Sequence, residues 1–190
     1  LLPKGTRSGA SIATRIDELL PDGWPKRPTW IVAVRTNDGR RIVFGRDDVA
    51  GTVGQATQAS AAIPAFYTPV RIGDRSYVDG ALHSSTNADL VAKLGFDLVI
   101  ISSVKTATPD ARSWRSDPER AWFSNKLDNE LAEIRSTGTP AIVIEPDDTQ
   151  LELLASGERA DACLAGRLAA ERVLATSEGA GLRSIVEPAS

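Results

Sequence analysis

Two short apolar runs separated by an amphipathic helix constrain the fold of this chain most. The runs "LVII" at 98–101 and "AIVI", which opens "AIVIEP" at 141–146, are bounded by polar residues, a pattern typical of strands buried on both faces of a parallel sheet. Strand, helix and strand in that order require a crossover connection, so the sequence predicts an α/β layer structure. The helix between them carries apolar residues at helical spacing, namely Phe123, Leu127, Leu131 and Ile134.

The N-terminal half predicts a helix and two hairpins. Apolar residues recur at helical spacing from Ile12 to Leu20, and the prolines and glycine of "PDGWPKRP" end that helix. The runs "TWIVAVR" and "RRIVFGR", joined by "TNDG", predict a hairpin over 29–45. After a weakly helical stretch at 51–62, "PVRIG" and "SYVDG" predict a second hairpin around Gly73 and Asp74.

Two further helices are expected after the second hairpin. Thr86, followed three residues later by Asp89, is a variant of the capping box and predicts a helix that Gly95 closes. A last helix, which we expect to cover one face of the sheet, carries Cys163, Leu164, Leu168 and Leu174.

Composition favours a single domain and a small-molecule partner. The chain has 190 residues, of which 42% are hydrophobic, which is enough for one core. Its net charge is −3 and its 22 basic residues are scattered, so nucleic acid is not expected as a partner. The single Cys163 cannot form an internal disulfide and no paired spacing suggests zinc, so we expect a reducing, cytoplasmic location and no metal.

Polar residues that directly follow apolar strands are the first candidates for a site, because ligands bind beyond the carboxyl ends of strands in open α/β sheets. Asp147 and Asp148 resemble half of a metal site, but an aspartate before "TQLELL" is an ordinary helix N-cap, and Asp47 with Asp48 has the same interpretation. No base is evident for the serines that follow "LVII". The candidates are Asp79, Ser102 and Ser103, Glu145 to Asp148, and Asp47 with Asp48.

Asp79 has two interpretations. Its neighbours from Tyr77 to Ala81 offer no side-chain charge, so partial desolvation would make it a better general base, and Gly80 with Ala81 allows another segment to approach closely. From spacing alone, a turn cap is favoured over a base. His83, the only histidine, is four residues away; it is either oriented by Asp79 for hydrolysis or a structural loop residue.

The segment "TQASAAIPAFYTPVRIGDRSYVDGALHSSTNADLVAKLGFDLVIIS", residues 57–102, resembles the patatin-like acyl hydrolase family. The resemblance extends over about residues 20–104 and rests on the order and spacing of "ASAAIPAFYTPV", "YVDGA", the "N-A-D" element and "DLVII". It implies a three-layer α/β/α fold with a mainly parallel central sheet, present here only in part. It also implies hydrolysis of lipid or carboxylic esters, of the phospholipase A kind, without a cofactor.

The resemblance implies specific roles for the "DGA" residues. In that family the aspartate of this motif is the general base for a serine, in a Ser-Asp dyad without histidine. Here the aspartate is Asp79, followed by Gly80 and Ala81. On this interpretation His83 is not required.

The sequence departs from the family pattern at the nucleophile. No G-x-S-x-G elbow occurs, and in "GTRSGAS" at 5–11 the serine is one place too late and no strand precedes it. We therefore expect residues 1–190 to be the C-terminal part of a single patatin-like catalytic domain, whose N-terminal portion, in the same polypeptide, supplies the serine and the oxyanion-hole amides. The alternative is an inactive lipid-binding or regulatory module of the same fold.

The sequence is compatible with transient contact with lipid but contains no element that requires it. No basic amphipathic helix commits the chain to a membrane surface, which leaves transient membrane contact. The polar segment at 105–119, with Trp114 and the nearby Trp122, is a candidate for a lid or an interfacial contact, although packing tryptophans are more common.

Overall fold

A computed structural model describes residues 5–106 and 118–176. The chain divides into two compact units, Leu1–Ser84 and Ser85–Ser190. Most of the predicted loop at 105–119, including Trp114, lies outside the described residues.

The first unit is an antiparallel sheet with two helices. Its four strands lie in the order β2-β1-β4-β3 and all pair antiparallel, as tightly connected hairpins require. Both predicted hairpins and the first helix are confirmed. The elements are α1 (Ala10–Leu19), β1 (Ile31–Arg35), β2 (Arg41–Phe44), α2 (Val53–Ser60), β3 (Val70–Ile72) and β4 (Arg75–Asp79).

The core of this unit lies between the sheet and α2. Phe44 and Tyr77, from β2 and β4, are fully buried and meet edge to face with their ring centres 5.2 Å apart, a favoured aromatic geometry. The small residues of α2 allow the helix to pack closely on the strands. The buried cluster consists of Ala33, Ile42, Phe44, Ala56, Ala59, Ala62, Val70, Ile72 and Tyr77.

The second unit contains the predicted strand, helix and strand. Strands β5 and β6 pair parallel in a two-stranded sheet, with α3 as the crossover between them, and α4 and α5 follow. The apolar stripe predicted for α3 is buried, as expected. The elements are β5 (Val99–Ser102), α3 (Pro118–Ser136), β6 (Ala141–Ile144), α4 (Asp148–Ala155) and α5 (Arg159–Leu174).

These elements confirm the α/β class and correct two details of it. Among the named strands of the described ranges, parallel pairing is confined to β5 and β6. The prediction of a mainly parallel sheet does not extend to the first unit, whose strands pair antiparallel and whose parallel contact is an isolated bridge between Arg7 and Tyr67. The prediction that β5 is buried on both faces is also wrong, because Ile100 is 58% exposed while Val99 and Ile101 are buried. Alternate side chains of a strand point to opposite faces, and the described part of the second unit covers only one of them.

The helix predicted from Thr86 to Gly95 is shorter than expected. The chain forms a 3₁₀ turn at Ala88–Val91, preceded by Asn87 in the left-handed region with φ 51°. The N-cap position of this turn is Asn87 rather than Thr86. The Thr86 hydroxyl donates to the carboxylate of Glu130 on α3, and the Ala88 N–H donates to the same oxygen at 2.9 Å. Glu130 lies within the apolar stripe and is buried; it joins the segment before this turn to α3.

Helix α2 is anchored at its N-terminus by a carboxylate from α1. Thr52 and Gln55 form a capping box, and Asp17 accepts hydrogen bonds from the Thr52 hydroxyl at 2.9 Å and from the Gly54 N–H at 2.8 Å. A Cβ at Gly54 would lie 2.3 Å from the Ala13 carbonyl oxygen. Asp17 thus satisfies a free N–H of the first turn at a point where the two helices touch.

Replacing Asp17 by alanine is expected to destabilise the protein. The substitution leaves the Gly54 N–H without its acceptor, so the free energy of unfolding should fall by about 1–2 kcal/mol. Urea unfolding followed by circular dichroism measures the change. The neighbouring Glu18 is exposed, so Glu18→Ala is the matched control; equal stability of the two variants would contradict the anchoring role.

Candidate active site

Asp79 lies at the end of β4, where two other elements hold its backbone. It stands opposite Ala33 of β1 in the antiparallel register. Its N–H donates to the carbonyl oxygen of Ala62, just beyond the end of α2, at 3.1 Å. Strand β1 and the segment after α2 therefore fix the position of Asp79, and its side chain is half-buried.

Gly80 allows the chain to turn directly against β1. A Cβ at this position would lie 2.4 Å from the carbonyl oxygen of Val32 and 2.9 Å from its carbonyl carbon, distances that no side chain tolerates without a backbone shift. The chain then forms a 3₁₀ turn at Gly80–Leu82. The glycine of the motif is thus explained by close approach to the backbone of β1.

The carboxylate of Asp79 uses one oxygen as a cap. Oδ1 accepts a hydrogen bond from the Ala81 N–H at 2.8 Å, so the turn-cap interpretation is correct for this oxygen. Within residues 5–106 and 118–176, no hydrogen bond or ion pair occupies Oδ2. A carboxylate oxygen has lone pairs available for a proton, so capping and proton acceptance can be carried out by the same side chain.

His83 ends the turn that Asp79 begins. Its backbone N–H donates to the Gly80 carbonyl oxygen at 3.0 Å, and the N–H of the buried Ser84 donates to the same oxygen at 3.4 Å. The backbone of His83 therefore has a structural part in the turn after the motif.

Asp47 does not cap a helix as predicted, because Thr52 is the cap of α2. The side chain turns back on β2 and accepts hydrogen bonds from the Val43 N–H and from Nε of Arg46, both at 2.9 Å. Burial alone would raise the pKa of Asp47, but these two hydrogen bonds to the charged form outweigh it and the pKa is lowered. Asp47 is thus a satisfied structural carboxylate.

The remaining candidates near the second sheet are structural. Asp147 is the N-cap of α4, as predicted, and forms a capping box with Gln150. The hydroxyls of Ser102 and Ser103 make no hydrogen bond to a carboxylate or histidine of the described segments. Those segments contain no cluster of three or more histidine, cysteine or acidic side chains that could hold a metal ion.

The sequence did not predict two groups that hold other segments in place, the Ala62 carbonyl and the Glu130 carboxylate. The Ala62 carbonyl that receives the Asp79 N–H is a backbone group, and no residue type marks it. Glu130 did leave a signal, since it is a carboxylate between Leu127 and Ile134 on the apolar face of α3. A buried acid on such a face indicates a specific partner, which is the segment at Thr86 and Ala88.

Residues 1–92 match the family model of the patatin-like phospholipases. Just under half of the chain thus resembles the patatin-like family. The match contains the whole first unit and the "DGA" motif at Asp79, and it confirms the resemblance seen in the sequence. The patatin-like family suggests a lipid acyl hydrolase.

Among residues 5–106 and 118–176, none of the helices combines the length and apolar character needed to cross a membrane.

Replacing Gly80 by alanine is expected to displace the patatin-like motif from β1. The new methyl group would overlap the Val32 carbonyl, so the free energy of unfolding should fall by about 1–3 kcal/mol. Urea unfolding measures the effect. Gly166 on α5 has open space where a Cβ would stand, so Gly166→Ala is the control and should be neutral or stabilising; an unchanged stability of Gly80→Ala would refute the close approach.

Proposed function

We propose that this chain supplies the general base of a serine acyl hydrolase that cleaves lipid or carboxylic esters in the manner of a phospholipase A. The observation that carries the proposal is the carboxylate of Asp79 in the patatin-like motif. Its backbone is held by β1 and Ala62, one of its oxygens caps the next turn, and the other is open to a proton. A fixed base of this kind is what a Ser-Asp dyad requires.

The proposed reaction has two halves. In the first, the serine Oγ attacks the ester carbonyl while Asp79 Oδ2 accepts the hydroxyl proton, and that proton passes to the departing alcohol as the ester C–O bond breaks. In the second, Asp79 takes a proton from water, which attacks the acyl-enzyme, and returns it to the serine as the carboxylic acid leaves. No cofactor or metal ion is needed for either half.

The serine in this proposal belongs to the N-terminal portion of the same polypeptide. The G-x-S-x-G pattern occurs nowhere in the 190 residues, and such an elbow with its oxyanion amides is the usual source of the nucleophile on an α/β fold. Residues 1–190 would then be the C-terminal part of one catalytic domain. We also place the protein in the cytoplasm, since Cys163 is a free, exposed thiol of the kind that reducing compartments preserve.

Asp79→Asn is the direct test, made in the complete natural polypeptide. Asparagine can still accept the Ala81 N–H but cannot take a proton, so the fold should be kept while kcat falls by about 100- to 10,000-fold. Hydrolysis of short- and long-chain nitrophenyl esters measures the change. Asp74, on the exposed turn of the same hairpin, provides the control Asp74→Asn, which should retain full activity.

Two results would favour other functions. Full activity of Asp79→Asn, combined with a loss of several powers of ten in His83→Gln, would indicate a histidine-dependent hydrolase instead. A complete polypeptide without a G-x-S-x-G elbow and without esterase activity would support the inactive lipid-binding module.

A further inference from the structure

Aromatic and basic side chains form a continuous cluster at the start of α3. The Nζ atom of Lys105 lies 4.9 Å from the ring centre of Phe123, and Nζ of Lys126 lies 5.6 Å from that of Trp122. The two rings meet edge to face with centres 5.0 Å apart. We call Lys105, Trp122, Phe123 and Lys126 the aromatic–lysine cluster.

One ring of the cluster is buried and the other is exposed. Phe123 is 5% exposed and belongs to the packed face of α3, whereas Trp122 is 40% exposed. Val104, which precedes Lys105 in the chain, is 51% exposed. Indole has an apolar body and a polar N–H, and is therefore suited to a boundary between water and an apolar phase.

The charge around Trp122 is opposite in sign to that of the whole chain. Lys105 and Lys126 lie over the rings of Phe123 and Trp122, and Glu119, one turn before Trp122, is an acidic residue on the same helix face. The chain as a whole carries −3. Since lysine stems lie along apolar surface while the ammonium groups stay in water, this arrangement presents positive charge around an exposed indole.

We propose that the aromatic–lysine cluster docks the protein on an anionic lipid surface. In this interaction Trp122 and Val104 enter the headgroup region, while Lys105 and Lys126 lie beside lipid phosphates. The lysines favour a partner with a negatively charged surface, and the exposed indole and valine favour one with an apolar phase directly behind its charges, as an anionic lipid surface has. The inference rests on the proposed function only in that a lipid surface presents the ester substrate.

Vesicle sedimentation tests the lysines. The protein should bind vesicles that contain phosphatidylserine and phosphatidylcholine, and bind poorly to phosphatidylcholine alone or at high salt. The double variant Lys105→Gln, Lys126→Gln should bind about 30-fold more weakly, as expected from the attraction of two lysines to an anionic surface. The control is Lys26→Gln, Lys93→Gln, which removes two exposed lysines elsewhere and should bind like the wild type.

Trp122→Ala tests the apolar part. It should weaken binding to the anionic vesicles at least 10-fold and abolish a blue shift of tryptophan fluorescence on binding, whereas Leu19→Ala, at an exposed apolar residue elsewhere, should change neither. Circular dichroism verifies the fold of each variant. Equal binding by the lysine double variant and its control, or binding by the wild type only to an acidic protein and not to vesicles, would overturn the proposal.

The two proposals fail independently. Vesicle binding needs no turnover, so Asp79→Asn should bind the anionic vesicles like the wild type. If a variant loses esterase activity but still binds vesicles, the defect lies in the general base. If a variant hydrolyses a soluble short-chain ester normally but no longer binds vesicles, the defect lies in the docking surface.

Discussion

The hydrogen bond from the Asp79 N–H to the Ala62 carbonyl oxygen is the contact on which the candidate site depends. It ties the end of β4 to the segment that leaves α2, and α2 is itself held at its other end by Asp17 of α1. On the opposite side, Gly80 brings the chain against the Val32 carbonyl of β1. The segment after a helix and a strand thus fix the backbone of one aspartate, so that in the proposed reaction the carboxylate would need little reorganisation to take a proton.

Capping and catalysis were alternatives at the level of sequence, and the geometry of Asp79 is compatible with both. Spacing favoured a cap, and Oδ1 of Asp79 is indeed a cap for the turn at Ala81. The same bond orients the carboxylate and leaves Oδ2 for a proton. A capping bond of this kind helps to position a base, because it restricts rotation of the side chain without occupying both oxygens.

Local patterns predicted the elements well and long-range partners poorly. The hairpins around β1 to β4 follow from turn residues and strand period, and the buried face of α3 follows from its stripe. The local pattern at Thr86 could not predict its partner Glu130, which is 44 residues away and accepts the Thr86 hydroxyl. The sequence likewise did not predict a cluster of basic residues, because the lysines are scattered along the chain and only the fold brings Lys105 to the ring of Phe123.

The proposed mechanism requires Asp79 to activate a serine. Labelling of the complete natural polypeptide with a fluorophosphonate tests this claim most directly, because the reagent reacts with an activated serine and mass spectrometry locates the modified residue. We expect one labelled serine, in a G-x-S-x-G elbow outside these 190 residues, and a labelling rate that falls toward background in Asp79→Asn. A labelled serine within the 190 residues, or a rate independent of Asp79, would contradict it.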